Sequence, residues 1–352
     1  MVIGHLKDQI IKNIHGVHFV VEEMPLGTAG ALPKIYDMLK KEFLLVYGDL
    51  FFNVDFQRMI DFHHEHGGQG TLFVHPNSHP YDSDMIVFDK NYHIKQILSK
   101  HNERPCWLHN YTNAGIYFFN KSILNVFPSW KQIDLEKDIL PHLYLYGYVS
   151  PEYVKDIGTV DRYYQVEADI KNHIPEHRSL KRKQKAIFID RDGTINYKND
   201  LVFKPEQFEL FPYAADAIKL INQSEYLAIV ITNQPVIARG LCSLEELDEI
   251  HAKMETDLGA QGAYLNDIFF CPHHPDKGYP EENPDYKIIC DCRKPKPGMI
   301  YMAAERYNID LSQSWMIGDT QIDYETAINA GVKPIVTNNL LTAVQTILGE
   351  SI

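Results

Sequence analysis

The sequence predicts an α/β protein of two domains, each a β-sheet layered between helices. Three observations carry that reading. Short aliphatic runs alternate with amphipathic stretches on both sides of the chain's midpoint, the pattern of parallel-sheet folds. The 352 residues are about twice a usual domain of roughly 150. Residues 171–185 are polar and basic, carry a proline and offer no apolar face to bury, so they read as a linker. The expected domains are therefore 1–172 and 185–352, joined by a basic linker at 173–184.

Composition narrows the class of protein. Apolar residues are 45 % of the chain and charged ones 23 %, a globular balance. The net charge of −13 argues against a broad surface for nucleic acid. The longest aliphatic runs, such as 227–231, are far too short to span a bilayer. The first residues lack the layout of a secretory signal. The expectation is a cytoplasmic protein with no nucleic-acid or membrane partner. Three of the five cysteines crowd into 271–292, which suits a metal better than a disulfide framework.

Taken in order, the first half should hold strands near 18–22, 43–48, 71–75 and 114–119. The run His63, His64, Glu65, His66 precedes two glycines and reads as a solvated helix end rather than a metal site. The second half should hold strands near 186–190, 227–232, 267–271, 315–318 and 334–337. Between them, Ser243 and Glu246 form a capping box for a helix whose apolar stripe is Leu244, Leu247, Ile250, Met254 and Leu258. Asp49, Asp190, Thr232 and Asp319 fall at strand C-terminal ends, where open α/β sheets bind ligands.

The sharpest chemical signal is Asp190-Arg-Asp192-Gly-Thr194 after an apolar strand. In extended backbone the two aspartates share a side, so both carboxylates reach one place. Like charges so close call for a cation, and Mg²⁺ suits carboxylate and phosphate oxygens. Three further patterns come after it in order: Thr232-Asn233-Gln234 at a strand end, Arg293-Lys294-Pro295, and Gly318-Asp319 with Asp323 four residues on. A second metal site is legible in Cys271-x-His273 and Cys290-x-Cys292, the four ligands a closed tetrahedral Zn²⁺ site needs. His274 is out of phase and reads as a neighbour of that site or a surface residue. Cys106 and Cys242 lack partners and read as core thiols.

This succession of motifs resembles the haloacid dehalogenase (HAD) superfamily, in its histidinol-phosphatase-type branch. Within that branch the heptose 1,7-bisphosphate phosphatases are most similar. The resemblance covers 185 to about 340 and implies two Rossmann-like three-layer domains overall, the second a capless HAD fold with a structural zinc loop. It implies a phosphorylated sugar as substrate and removal of the 7-phosphate. Asp190 would be the nucleophile and Asp192 the acid and base. Thr232 and Lys294 would hold the phosphoryl group, with Asn233, Gln234 and Arg293 on the substrate. Asp190, Asp319 and the carbonyl of Asp192 would bind Mg²⁺. Pro235-Val236 and Thr320 depart from the usual family pattern. Histidinol phosphate stays open as an alternative substrate.

The first half is similar to sugar-1-phosphate nucleotidyltransferases of the mannose- or heptose-1-phosphate guanylyltransferase type. By that resemblance, Gly27, Thr28 and Gly30 line a base pocket, Asn113 and Glu136 hold a sugar, and Asp49 and Asp156 bind Mg²⁺. The resemblance makes a nucleotide a second partner. The chain enters the family pattern after its Gly-x-Gly-Thr-Arg loop, so triphosphate binding loses its main electrostatic support. The expectation is a truncated or scaffolding domain, with guanylyltransfer as the alternative activity.

Overall fold

The computed structural model describes residues 1–127, 132–198 and 200–349. The first half runs β1 (Val2–Ile3), α1 (Lys7–Asn13), β2 (Val20–Val21), β3 (Glu42–Val46), β4 (Leu50–Asn53), α2 (Phe56–His66), β5 (Gly70–His75), β6 (Met85–Phe88), β7 (Ile94–Leu98), β8 (Thr112–Asn120), β9 (Leu145–Val149), β10 (Tyr153–Asp156) and α3 (Val160–Lys171). After α4 (Ile174–His177), the second half runs β11 (Lys185–Ile189), α5 (Ala214–Asn222), β12 (Tyr226–Asn233), α6 (Leu244–Gly259), β13 (Asp267–Cys271), α7 (Gly298–Tyr307), β14 (Trp315–Gly318), α8 (Gln321–Ala330), β15 (Lys333–Val336) and α9 (Leu340–Leu348). The chain is α/β throughout.

The second half is a five-stranded sheet in the order β13-β12-β11-β14-β15, every pair parallel. Its central strands are buried on both faces, and side chains alternate between two cores. Ile187 and Ile189 enter the core under α5, α6 and α9, while Ala186 and Phe188 enter the one under α7 and α8. The expected capping box opens α6: Ser243 Oγ accepts from the Glu246 amide at 3.1 Å, and Glu246 accepts from the Ser243 amide at 2.7 Å. Of its expected stripe, Leu247, Ile250, Met254 and Leu258 are buried, but Leu244 in the first turn is 38 % exposed. The order of strands positions the chemistry. β12, β11 and β14 are neighbours, so the ends of three motif-bearing strands meet in one place.

Alternating strand and helix predicts parallel pairing in both halves, but the first-half sheet is mixed. β8 pairs antiparallel with β3, β5 and β6, and only β5 with β9 is parallel within that sheet. The physical reason is connection length. The β6–β7 link is a turn with no crossover helix, and parallel neighbours need one. Of the histidines expected on a solvated helix end, His63 is buried, its Nδ1 2.9 Å from Thr71 Oγ1. Cys106 is exposed rather than a core thiol, because 99–108 is an irregular surface excursion before β8.

The basic segment does not behave as a solvated tether. α4 occupies part of it, and Arg178, Ser179, Leu180 and Gln184 are buried. Arg178 donates to the carbonyls of Asn222 and Ser224 and to the Tyr264 hydroxyl. Glu152, buried in the first half, accepts from the amides of Asp55 at 2.8 Å and Leu180 at 3.0 Å. Backbone groups and one arginine supply the anchorage that an apolar face would otherwise provide, which hydropathy alone does not reveal. Elsewhere between the halves, His109 bridges Glu255 and Asp248 of α6, and Thr256 exchanges hydrogen bonds with Leu108 in both directions.

Candidate active site

At the C-terminal end of β11 the Asp190 amide donates to the Ile317 carbonyl at 2.9 Å, fixing the strand end against β14. The chain then turns at Gly193, whose φ is +95°. A Cβ there would collide with Asp319 Oδ2, so a close approach as well as the backbone angle demands glycine. Asp190, Asp319 and Asp323 offer carboxylate oxygens that all lie within 4.8 Å of one another. Lys294 is buried among them, its Nζ 2.7 Å from Asp190 Oδ1 and 2.6 Å from Asp323 Oδ1. Asp323 also accepts from the Thr320 hydroxyl and amide, closing the capping box of α8.

Burial pushes the Asp190 carboxyl up, to about 6, against the pull of the Lys294 ammonium; Asp323 adds to the rise. Burial alone would lower Lys294, but its two carboxylate partners outweigh that and hold it charged. Asp319 is the odd member. Its Oδ1 is buried with no hydrogen-bond partner among the described residues, and its Oδ2 faces Lys198 at 3.5 Å. A buried carboxylate oxygen without a donor, beside two others, is what a divalent cation would complete.

The Asp192 carboxylate is not one of that trio and is hydrogen-bonded to other partners. Its Oδ1 accepts from Arg191 Nε, Arg191 Nη2 and Asn196 Nδ2 at 3.1, 3.0 and 3.0 Å. Its Oδ2 accepts from Arg191 Nη2 at 2.9 Å and Gln234 Nε2 at 2.8 Å. Burial would raise its pKa, but the Arg191 charge and these donors hold it below the usual carboxylate range. Only the main-chain carbonyl of Asp192 remains available as the metal ligand anticipated for this residue.

The Thr232-Asn233-Gln234 step shows a division of labour that spacing could not. Thr232 and Gln234 are both buried, with Gln234 Nε2 donating to Thr232 Oγ1 at 2.9 Å as well as to Asp192. Asn233 clamps the main chain of Lys294, donating to its carbonyl at 3.1 Å and accepting from its amide at 2.9 Å. The amides expected on the substrate are thus engaged in orienting Asp192 and Lys294. Thr194, the hydroxyl at the end of the first motif, is buried with its Oγ1 unpartnered among the described residues.

The second cluster forms where β13 ends and the loop before α7 returns. Cys271, His273, Cys290 and Cys292 present one donor atom each, all within 4.8 Å. Sulfur–sulfur separations are 3.1 to 3.5 Å, and His273 Nδ1 lies 3.3 Å from Cys292 Sγ and 3.7 Å from Cys271 Sγ. Three thiols and an imidazole facing one point suit a tetrahedral soft-metal site. His274 is buried beside it, accepting from the Asp276 amide. Arg293 donates to the His273 carbonyl at 3.0 Å, so the loop fixes the residue next to Lys294.

In the first half, Asp49, Asn113, Glu136 and Asp156 line one cavity of about 560 Å³. Asn113 Nδ2 donates to Glu136 Oε1 at 2.9 Å, and burial together with the Asp84 charge raises the Glu136 carboxyl. Asp156 is held by Arg162 at 2.6 Å, which gives that carboxylate a cation from within the chain. Gly27, Thr28 and Gly30 do not line this cavity. Their loop is stitched to 133–135, with the Ala29 amide on the Ile133 carbonyl and Thr28 Oγ1 accepting from the Leu135 amide. Arg178, Asn222 and Tyr264 form the cavity's far wall, which no sequence motif announced.

Residues 4–173 match the nucleotidyl transferase family model, and 291–339 match the HAD-hydrolase-like model. A D-glycero-beta-D-manno-heptose-1,7-bisphosphate 7-phosphatase of Pseudomonas putida is 39 % identical over 152 residues, 43 % of this chain and 81 % of that protein. The Escherichia coli K12 protein of the same name is 37 % identical over 153 residues, 43 % of this chain and 78 % of that one. A crystal structure of D,D-heptose 1,7-bisphosphate phosphatase from B. bronchiseptica, complexed with magnesium and phosphate, is 32 % identical with a TM-score of 0.42, covering 48 % of this chain and 100 % of that one.

Proposed function

The chain belongs to the D-glycero-β-D-manno-heptose-1,7-bisphosphate 7-phosphatase family of HAD hydrolases, and we propose that its second half removes the 7-phosphate of that sugar bisphosphate through an aspartyl-phosphate. The observation that carries this reading is the trio Asp190, Asp319 and Asp323 with Lys294 inserted at 2.7 Å from Asp190 and 2.6 Å from Asp323. Asp190 Oδ attacks phosphorus as the bond from phosphorus to the sugar oxygen breaks, and Asp192, protonated for this step against the pull of the Arg191 charge, gives that oxygen its proton. Asp192 then takes a proton from water as its oxygen attacks phosphorus, which frees Asp190 and inorganic phosphate. Lys294 and the buried Thr232 would steady the phosphoryl oxygens.

The orphaned Asp319 Oδ1 supports a resident Mg²⁺ held by Asp190, Asp319 and the Asp192 carbonyl. When bound, the ion offsets repulsion between the attacking carboxylate and the phosphate. Cys271, His273, Cys290 and Cys292 would hold a structural Zn²⁺ that fixes the loop carrying Arg293 and Lys294. Arg293 is our choice for recognising the second phosphate. Nucleotide-heptose assembly for a surface polysaccharide, in the cytoplasm, is the setting this chemistry fits. Among the described residues no helix is long and apolar enough to cross a membrane.

Comparing kcat/KM for heptose 1,7-bisphosphate and histidinol phosphate tests the substrate. The reading expects the heptose substrate to lead by at least a factor of about 100, and a lead for histidinol phosphate refutes it. The cavity of the first half supports a second site, for a sugar phosphate against Asn113 and Glu136 with a nucleotide beside it. GTP turnover with heptose 1-phosphate tests guanylyltransfer there. The Arg162–Asp156 pair weighs against that activity, because it occupies one of the two carboxylates a catalytic Mg²⁺ would need.

A further inference from the structure

Among the described residues Arg191 is the largest side chain wholly withdrawn from solvent, at 0 % exposure, although it sits between the two aspartates of the catalytic strand end. A buried arginine is expensive to keep unless its charge is paired and its donors are used. Every hydrogen bond its guanidinium makes among the described residues goes to two side chains. Nε and Nη2 reach Asp192 Oδ1, Nη2 also reaches its Oδ2, and Nη2 donates to Gln234 Oε1 at 3.0 Å. Nη1 has no partner among the described residues, so no other protein group there competes for the side chain.

Gln234 completes a closed figure, since it receives from Arg191 and donates to Asp192 Oδ2 at 2.8 Å. Asn196 adds a donor to Oδ1. The carboxylate is gripped by a fork on one side and by amides on the others. The fork geometry is particular to a guanidinium. The guanidinium spends its hydrogen bonds on Asp192 and Gln234, so whatever Arg191 does for the reaction passes through Asp192.

We propose that Arg191, with Gln234 behind it, is a positioning residue that fixes the orientation from which Asp192 delivers its proton to the leaving sugar oxygen. The inference rests on the phosphatase reading above, in which Asp192 is the general acid. It concerns one half-reaction, the transfer to Asp190, in which the phosphorus–oxygen ester bond breaks and the departing oxygen takes the proton. A leaving group that departs as a stable anion needs no such proton. Loss of the fork should therefore harm sugar phosphates selectively, whereas loose packing would harm every substrate alike.

The test compares kcat/KM, which reports only steps through transfer to Asp190, for heptose 1,7-bisphosphate and p-nitrophenyl phosphate. It uses the full chain with its metals present. Asp192→Asn comes first and should lower the sugar-phosphate value far more than the nitrophenyl one, by a ratio of about 100 or more. If it lowers both equally, the assignment of Asp192 as acid fails and the inference fails with it. Given selective loss in Asp192→Asn, Arg191→Met should shift the ratio the same way by at least about tenfold, with KM for the sugar changed less than kcat. Equal loss on both substrates, or no loss, overturns the role of Arg191 while leaving that of Asp192 intact. Arg191→Lys, which keeps the charge and loses the fork, is measured alongside. It should fall between wild type and Arg191→Met, and it decides the matter by the same ratio if the methionine variant does not fold.

Discussion

Replacing Asp190 by asparagine should make the protein inactive and, without magnesium, more stable. The wild-type carboxyl is enclosed in the fold, and burial lifts its pKa from 3.8 to about 6. The folded state then holds the proton more tightly than the unfolded chain does. Stability is greatest below the unfolded value and is lost as pH rises through the folded one. A shift of about two units corresponds to roughly 3 kcal/mol of unfavourable ionisation above pH 6. Asparagine is neutral at every pH and nearly the same shape, and Lys294 keeps its second carboxylate, Asp323, at 2.6 Å. Asp190→Asn should therefore exceed wild type by up to roughly 3 kcal/mol at pH 8, with the difference vanishing by about pH 4. Urea unfolding in magnesium-free buffer measures this, without chelator so that the cysteine cluster is undisturbed. Adding Mg²⁺ at about a hundred times its Kd should stabilise wild type by about 2.7 kcal/mol and the variant by much less. A variant less stable than wild type at pH 8, or a difference that ignores pH, would refute the argument.

Three other outcomes are expected from the geometry. Gly193→Ala places a methyl group on Asp319 and strains a φ of +95°; we expect about 1–3 kcal/mol of destabilisation and at least a tenfold weaker response to Mg²⁺ in activity assays. Metal analysis should return about one zinc ion per chain, and Cys290→Ser should lower both that ratio and the melting temperature. Burial disfavours the charged form of His109, yet its hydrogen bonds to Asp248 and Glu255 prevail and lift its pKa to about 10. Its contribution to the contact between halves is complete below about pH 6.5 and is lost as pH rises through 10. Calorimetry from pH 6 to 10.5 should show the transition of the halves separating at high pH in wild type and at every pH in His109→Ala.

Much of the second half could be read from the chain because its chemistry is local. Asp190 and Asp192 share a strand end, and Cys271 with His273 and Cys290 with Cys292 declare themselves by spacing. The strands at 267–271 and 315–318 fall where aliphatic runs put them. What spacing could not show is direction. Asp192 lies one residue beyond Arg191, yet its carboxylate is held by that side chain, and only packing decides this. Asn233 and Gln234 were equally opaque, since an amide at a strand end can face a ligand or a neighbouring loop. Asp323 joins the carboxylate trio as its four-residue spacing from Asp319 implies, but its contact with Lys294, 29 residues away, left no mark in the spacing. In the first half, β8 pairs with three strands from different parts of the chain, and alternation carries no sign of strand direction.

The tract Lys181, Arg182, Lys183 would attract any protease that cuts after basic residues, and those three side chains are exposed. Yet the peptide groups around them are taken. The carbonyls of Ser179, Leu180 and Arg182 accept from Gln184 and Asn308, and the Leu180 amide is tied to Glu152 across the seam. A protease must draw its target out into an extended strand, and here that means first tearing loose contacts to both halves. The most tempting cut in the sequence is thus among the best guarded in the fold, and nicking there would report that the two halves had already come apart.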